Sequence, residues 1–185
     1  MIRQSHIERR SHLALHCNQI GLTNLAIEIG VYRGDFSAEF AGLWEGKNLH
    51  LVDPWCTPKC DGELSGTETD FDFVKKRFIN TPSITLVRKY SEVASFNYGD
   101  NSVDFIYIDA DHTYESVYND LFLWWPKLHK GGILAGHDFF VVDYPGLTEA
   151  VMDFARRNDR MVHGIFGDRN EKGVHTNSPS WYMYK

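Results

Sequence analysis

The chain has 185 residues, 43% of them hydrophobic and 14% aromatic, and a formal net charge of -6. That length and apolar content suit one domain with a sizeable core and exclude a disordered chain. The negative charge is a poor match to a phosphate backbone, so nucleic acid is not expected as a partner.

No apolar run reaches membrane-spanning length, and residues 1–22 are too polar for a secretion signal. The expected location is therefore the cytoplasm. The three cysteines, Cys17, Cys56 and Cys60, are an odd set in a well-cored chain and do not read as a disulfide framework. Cys56 and Cys60 have a ligand-like spacing, but no second pair accompanies them, so they read as two loop thiols.

Residues 1–22 carry Ile2, Ile7, Leu13, Leu15 and Ile20 among charges. They predict an N-terminal helical segment on the edge of a single domain over residues 23–185. His6, His12 and His16 have no ligand-like partners there and read as solvated. Residues 24–30 are a short apolar run ending in glycine, which fits a buried parallel strand. Gly30 to Gly34 then turn the chain into an amphipathic helix over 36–44, which Asp35 can cap. Residues 47–53 form the next strand, ending at Asp53 and stopped by Pro54.

Residues 54–69 are rich in proline and glycine and long for a connection inside a domain, as lids and binding loops are. A helix is predicted over 70–80 with Asp70 as its candidate cap, a strand over 83–88, and a short helix or turn over 91–96. Residues 103–109 are a strand, 113–129 a helix that Gly131 and Gly132 end, and 133–138 another strand. A helix over 147–158 follows. The strand-like runs 161–167 and 180–185 flank a polar loop with no helix, which favours an antiparallel hairpin. The fold class is α/β, an open, doubly wound, mostly parallel seven-stranded sheet with a C-terminal antiparallel β-hairpin.

In such sheets ligands bind beyond the carboxyl ends of the strands. Two strand ends there carry metal-ligand chemistry: Asp109, Asp111 and His112 after one, His137 and Asp138 after the next. The turn from Gly30 to Gly34 allows a ligand close to the backbone at a helix N-terminus. Asp53 can accept hydrogen bonds from ribose hydroxyls or belong to a plain Asp-Pro turn. Glu28, inside an apolar strand, needs a partner: a ligand amine, backbone donors or a nearby cation. Trp55, Tyr114, Phe139, Phe140 and Tyr144 are candidates to line an acceptor pocket, whereas Trp124 and Trp125 read as helix packing. An aromatic strand with Trp181, Tyr182 and Tyr184 offers a contact for a homo-oligomer.

The segments AIEIGVYRG, LVDPW, VDFIYIDADHTYESVYNDL and WPKLHKGGILAGHDF resemble the class I S-adenosylmethionine-dependent methyltransferases. The resemblance runs from about Leu25 to the C-terminus and implies a Rossmann-like fold with S-adenosylmethionine as cofactor. It implies that Glu28, Gly30 and Gly34 line the methionine end of that cofactor. Asp53 would hold the ribose, Ser91 would lie near the adenine, and Asp109 would border the cofactor. Tyr32 stands where the family's glycine loop commonly has its middle glycine.

A narrower resemblance is to the divalent-metal-dependent O-methyltransferases, of the catechol and macrocin types. It implies a cation, Mg²⁺ or Mn²⁺, on Asp109, His137 and Asp138. His137 departs from the family's usual acid, and imidazole tilts the preference toward Mn²⁺, Fe²⁺ or Zn²⁺. The same resemblance makes His112, beside Asp109, the base that accepts the acceptor's proton; packing on the following helix is the plainer role for it. Asp111 is either a group that orients a ligand or a helix N-terminal acid. The implied activity is O-methylation of a small hydroxylated acceptor such as a sugar or glycosylated metabolite. Two other functions compete: a nicotinamide-dependent reductase and a non-catalytic cofactor-binding or scaffold domain. Against the reductase, the glycine turn is not G-x-G-x-x-G and no Tyr-x-x-x-Lys pair is present.

Overall fold

The computed structural model describes residues 1–56, 67–167 and 178–185. Among these, eight strands form one sheet, flanked by six helices. The chain order is β1 (Ile2–Gln4), α1 (Leu13–Gln19), β2 (Leu25–Ile29), α2 (Asp35–Leu43), β3 (Asn48–Val52), α3 (Glu68–Arg77) and β4 (Ile84–Val87). It continues with α4 (Ser91–Ser95), β5 (Val103–Ile108), α5 (Tyr114–Trp124), β6 (Leu128–Gly136), α6 (Pro145–Arg157), β7 (Val162–Ile165) and β8 (Ser180–Tyr184). The spatial order is β1-β7-β8-β6-β5-β2-β3-β4, and every pairing is parallel except those of β8.

The expected seven strands become eight because residues 2–4, read as helical, add to the edge beside β7 with Ile2 opposite Val162. Three residues show no periodicity, so only their partner makes them a strand. The expected antiparallel C-terminal hairpin is present, and its last strand lies between β6 and β7.

The order of the sheet follows from burial. All six residues of β5 are buried, as a strand covered on both faces must be. Phe105 and Tyr107 join Phe36, Phe40 and Trp44 of the first helical layer, with α1, α2 and α3. Ile106 and Ile108 pack into the opposite layer with Val117, Leu121, Trp124 and Phe154 of α5 and α6.

Several boundaries differ from the sequence reading for local reasons. Thr67 caps α3 with Asp70 at its third position, in a reciprocal capping box, so Asp70 is not the cap itself. Asp35 is the first helical residue of α2 and the cap position belongs to left-handed Gly34. Gly131 and Gly132 do not end a helix. Pro126 stops α5 early in a 3-10 turn over Trp125–Lys127, and both glycines lie inside β6. There Gly131 has φ +87° and the β5–β6 register shifts, Val103 pairing with Leu128 but Phe105 with Ile133. No described helix is long and apolar enough to cross a membrane.

Candidate active site

The strand registers put four residues in one row across the carboxyl edge of the sheet. Ile29 lies opposite Val52 and Ile108, and Ile108 opposite Gly136. The ladder runs one residue further: Gly30 donates to Val52, Asp109 to Ile29 and His137 to Ile108. Asp53, Gly30, Asp109 and His137 therefore stand side by side. Gly30 has φ +83°, and a Cβ on it would lie 2.1 Å from the carbonyl oxygen of Asp109. The glycine thus serves two needs, the left-handed turn and the close approach of the Asp109 backbone.

Glu28 is buried and accepts a 2.5 Å hydrogen bond from the Ser37 hydroxyl. Burial pushes its carboxyl up to about 8, against the lowering pull of Ser37; Asp109 raises it further, while the positive charge of Arg10 lowers it. Its protein partner is thus the Ser37 hydroxyl, and not the salt bridge or backbone donors that were among the partners expected from sequence. Asp53 ties the glycine turn to the end of β3. Its Oδ2 accepts from the N–H groups of Val31 and Tyr32 at 2.9 and 3.0 Å, and its Oδ1 from Trp55 at 2.7 Å. A carboxylate has about four acceptor positions, so capacity remains for one ligand hydroxyl. Gly34, at φ +72°, would meet the Phe78 ring if it carried a Cβ.

Ser91 opens α4 beyond the end of β4, but its hydroxyl is engaged. It donates to Asp120 Oδ1 at 2.5 Å and accepts from Trp124 Nε1 at 2.8 Å. Burial raises the Asp120 carboxyl to about 6 despite that hydroxyl. The sequence reading missed Asp120; its signal was an acid within the apolar face of Val117, Leu121 and Trp124.

The other half of the site is compact. Asp109, His137 and Asp138 each offer one ligand atom, all within 4.8 Å of one another. Asp138 Oδ2 lies 3.2 Å from His137 Nδ1 and 3.2 Å from His112 Nε2. Burial would raise the Asp138 carboxyl, but the two imidazoles more than offset it and hold it far below the usual range. His112 is pulled down by burial, yet Asp109 and Asp138 lift it to about 9. This is attraction between charges at short range and not directed hydrogen bonding, because neither ring nitrogen of His112 makes a hydrogen bond. The Tyr144 ring covers the His112 ring at 4.3 Å between centroids. Asp111 caps the turn by accepting from the Thr113 N–H at 2.7 Å.

The backbone is strained where these groups meet. Tyr32, Trp55, Asp138 and Phe140 all have positive φ, at 52°, 40°, 52° and 63°. Left-handed geometry costs about 1–2 kcal/mol per non-glycine residue, less for aspartate, and here it aims the Asp138 carboxylate inward. Two of the pocket aromatics expected from sequence are core residues: Trp55 and Phe139 are fully buried. Trp55 is held by the bond from its Nε1 to the Tyr32 carbonyl. Phe140 is 46% exposed and stands at the edge of the site. Tyr114 donates to Asp153 on α6.

Arg10 reaches the site from the N-terminal segment, a contact with no sequence signal. Its Nη1 lies 3.7 Å from Asp109 Oδ2 and its guanidinium sits over the Phe36 ring. His16, read as solvated, is half-buried and bonds the Tyr184 hydroxyl at 2.6 Å; burial lowers its pKa. Most of the 54–69 loop, with Cys60, lies outside the described residues.

The sequence profile of the family described as "Methyltransferase domain" matches residues 27–139, from the strand that carries Glu28 through Asp138. An uncharacterized protein of Acanthamoeba polyphaga mimivirus is 28% identical over 152 residues, 75% of this chain, and the chain spans 64% of that protein's length. Among solved structures, a Staphylococcus aureus protein provisionally named a caffeoyl-CoA O-methyltransferase superposes with a TM-score of 0.67 at 11% identity, over 98% of this chain and 86% of its own. A Bacillus cereus O-methyltransferase in complex with SAH superposes with a TM-score of 0.64 at 16% identity, over 95% and 80%. The profile match covers the glycine turn, Asp53 and both halves of the row, and the chain belongs to the methyltransferase-domain family, with the fold of the class I S-adenosylmethionine-dependent methyltransferases.

Proposed function

We propose that this protein transfers a methyl group from S-adenosylmethionine to a hydroxyl of a small acceptor, of the sugar or glycosylated type, with a divalent cation at Asp109, His137 and Asp138. The convergence of those three side chains beside Gly30, on the row that carries the glycine turn, supports this reading most directly. The residues fit both groups: a close-approach glycine, a carboxylate with spare acceptor capacity, and a hard-and-imidazole donor set.

In this reading Asp53 takes a ribose hydroxyl on its remaining acceptor position. Neutral Glu28 adds no negative charge beside the cofactor's carboxylate. Gly30 keeps the cofactor's methionine end close to Asp109, so donor and acceptor share one wall. A bound divalent cation would lower the pKa of an acceptor hydroxyl and orient its oxygen. Phe140, which is exposed, and Tyr144, whose ring lies over His112, are the aromatics that would contact the acceptor.

Thermal denaturation and methyl transfer test the two halves separately. S-adenosylmethionine and its demethylated product should raise the melting temperature, and NADH should not. The absence of a shift with either adenosyl compound would remove the cofactor reading. With labelled S-adenosylmethionine and a panel of polyhydroxylated acceptors, chelation or Asp109→Ala should reduce transfer at least about 100-fold. Unchanged transfer after both would end the cation reading.

A further inference from the structure

Four side chains converge on the acceptor side, two from each strand end. Asp109 and His112 leave β5; His137 and Asp138 leave β6. Both imidazoles stand near both carboxylates, sharing Asp138 Oδ2 but facing different oxygens of Asp109. His137 Nδ1 stands 3.2 Å from Asp138 Oδ2 and 3.7 Å from Asp109 Oδ2. His112 Nε2 stands 3.2 Å from Asp138 Oδ2 and 3.8 Å from Asp109 Oδ1.

We propose that His112 is a fourth ligand, which makes a two-imidazole, two-carboxylate centre that selects a first-row transition ion over Mg²⁺. The proposal rests on the divalent-cation reading of the site and replaces the proton-accepting role that the family resemblance implies for His112. Donor atoms about 2.1 Å from one ion stand about 3.0 Å apart in octahedral and about 3.4 Å apart in tetrahedral geometry. The spacings of His112, 3.2 and 3.8 Å, lie on either side of the tetrahedral value, as those of His137, 3.2 and 3.7 Å, do.

The hydrogen-bond count points the same way. Nε2 of His112 is buried and makes no hydrogen bond, although a carboxylate lies within reach. A buried nitrogen left unpaired is destabilising, and an ion between the four groups removes that cost for Nε2. Tyr144 fixes the ring plane against rotation out of the cluster. Left-handed Asp138 directs the shared carboxylate at both imidazoles. Two imidazoles in a set of four favour Mn²⁺, Fe²⁺ or Zn²⁺, whereas Mg²⁺ prefers carboxylates and water.

The test is cation binding by the full chain, stripped with a chelator and titrated calorimetrically with MnCl₂ and MgCl₂. Wild type should bind Mn²⁺ at least about tenfold more tightly than Mg²⁺. His112→Ala should weaken Mn²⁺ by about 100-fold while S-adenosylhomocysteine affinity stays within twofold, which reports an intact fold. His112→Asp returns a ligand oxygen and should recover binding with the preference moved toward Mg²⁺; a merely structural histidine gives no such exchange. Unchanged Mn²⁺ affinity in His112→Ala overturns the proposal and leaves the three-residue cation reading standing. If wild type binds neither ion, both fail together.

Discussion

Glu28 shows what one buried carboxyl does to the whole chain. Its folded pKa of about 8 lies above the ordinary value of 4.5 because burial penalises the charged form more than Ser37 and Arg10 favour it. Between those two values the folded chain keeps a proton that the unfolded chain has released. Stability contributed by the neutral acid is thus fully present below pH 4.5 and is lost as pH rises through 8. The slope is at most about 1.4 kcal/mol per pH unit. Urea denaturation of the cofactor-free protein at pH 6, 7 and 8 should show that fall in wild type and a flatter dependence in Glu28→Gln. Equal slopes would mean the carboxyl is already ionised. Glu28 was recognisable in the sequence as a residue that needs a partner, because an acid in an apolar strand is out of place. Its resolution by Ser37 was not, because Ser37 lies on the next helix at a helical phase that only packing fixes.

At the scale of the elements, the glycines separate into two kinds. Gly30 combines a left-handed φ with backbone contact to Asp109, so Gly30→Ala must push the ends of β2 and β5 apart. Gly131 also has a left-handed φ but open space where a Cβ would go. Gly131→Ala should cost only the conformational penalty of about 1–2 kcal/mol. Gly30→Ala should cost more than that in chemical denaturation, and it should weaken S-adenosylmethionine binding, which Gly131→Ala should leave unchanged. Similar losses from both would show that the Asp109 contact is relaxed at no cost. The glycine turn after β2 was readable from spacing, but the Gly-Gly pair in β6 was misread as a helix end. A register shift within a strand and a helix terminus use the same residue for the same reason, its access to positive φ, and only the strand partner tells them apart.

For the whole molecule, the N-terminal segment matters more than its polarity suggests. It adds β1 to the sheet edge, packs α1 on one face and brings Arg10 to Asp109. Its path depends on Gly167, where a Cβ would lie 2.3 Å from the Glu8 carbonyl oxygen. Gly167→Ala should therefore loosen residues 2–10 and raise their amide hydrogen exchange, while protection in β5 and β2 stays as in wild type. Uniform loss of protection would instead mean that the segment and the core unfold as one unit.

The sequence by itself determined the alternation of strands and helices, the reversed last strand and the two strand ends that carry Asp109, His112, His137 and Asp138. Those features are local: apolar runs, turn residues and acids at strand ends follow from burial and backbone geometry a few residues at a time. Tertiary structure alone decided the edge strand at residues 2–4, the closing of Asp53 on the glycine turn, and the reach of Arg10 to Asp109. It also decided that both imidazoles face the same two carboxylates, through the shared register of Ile29, Ile108 and Gly136. The physical reason is that these contacts join residues tens of positions apart. Their free energy exists only once the sheet has been assembled, and no periodicity in the chain encodes it.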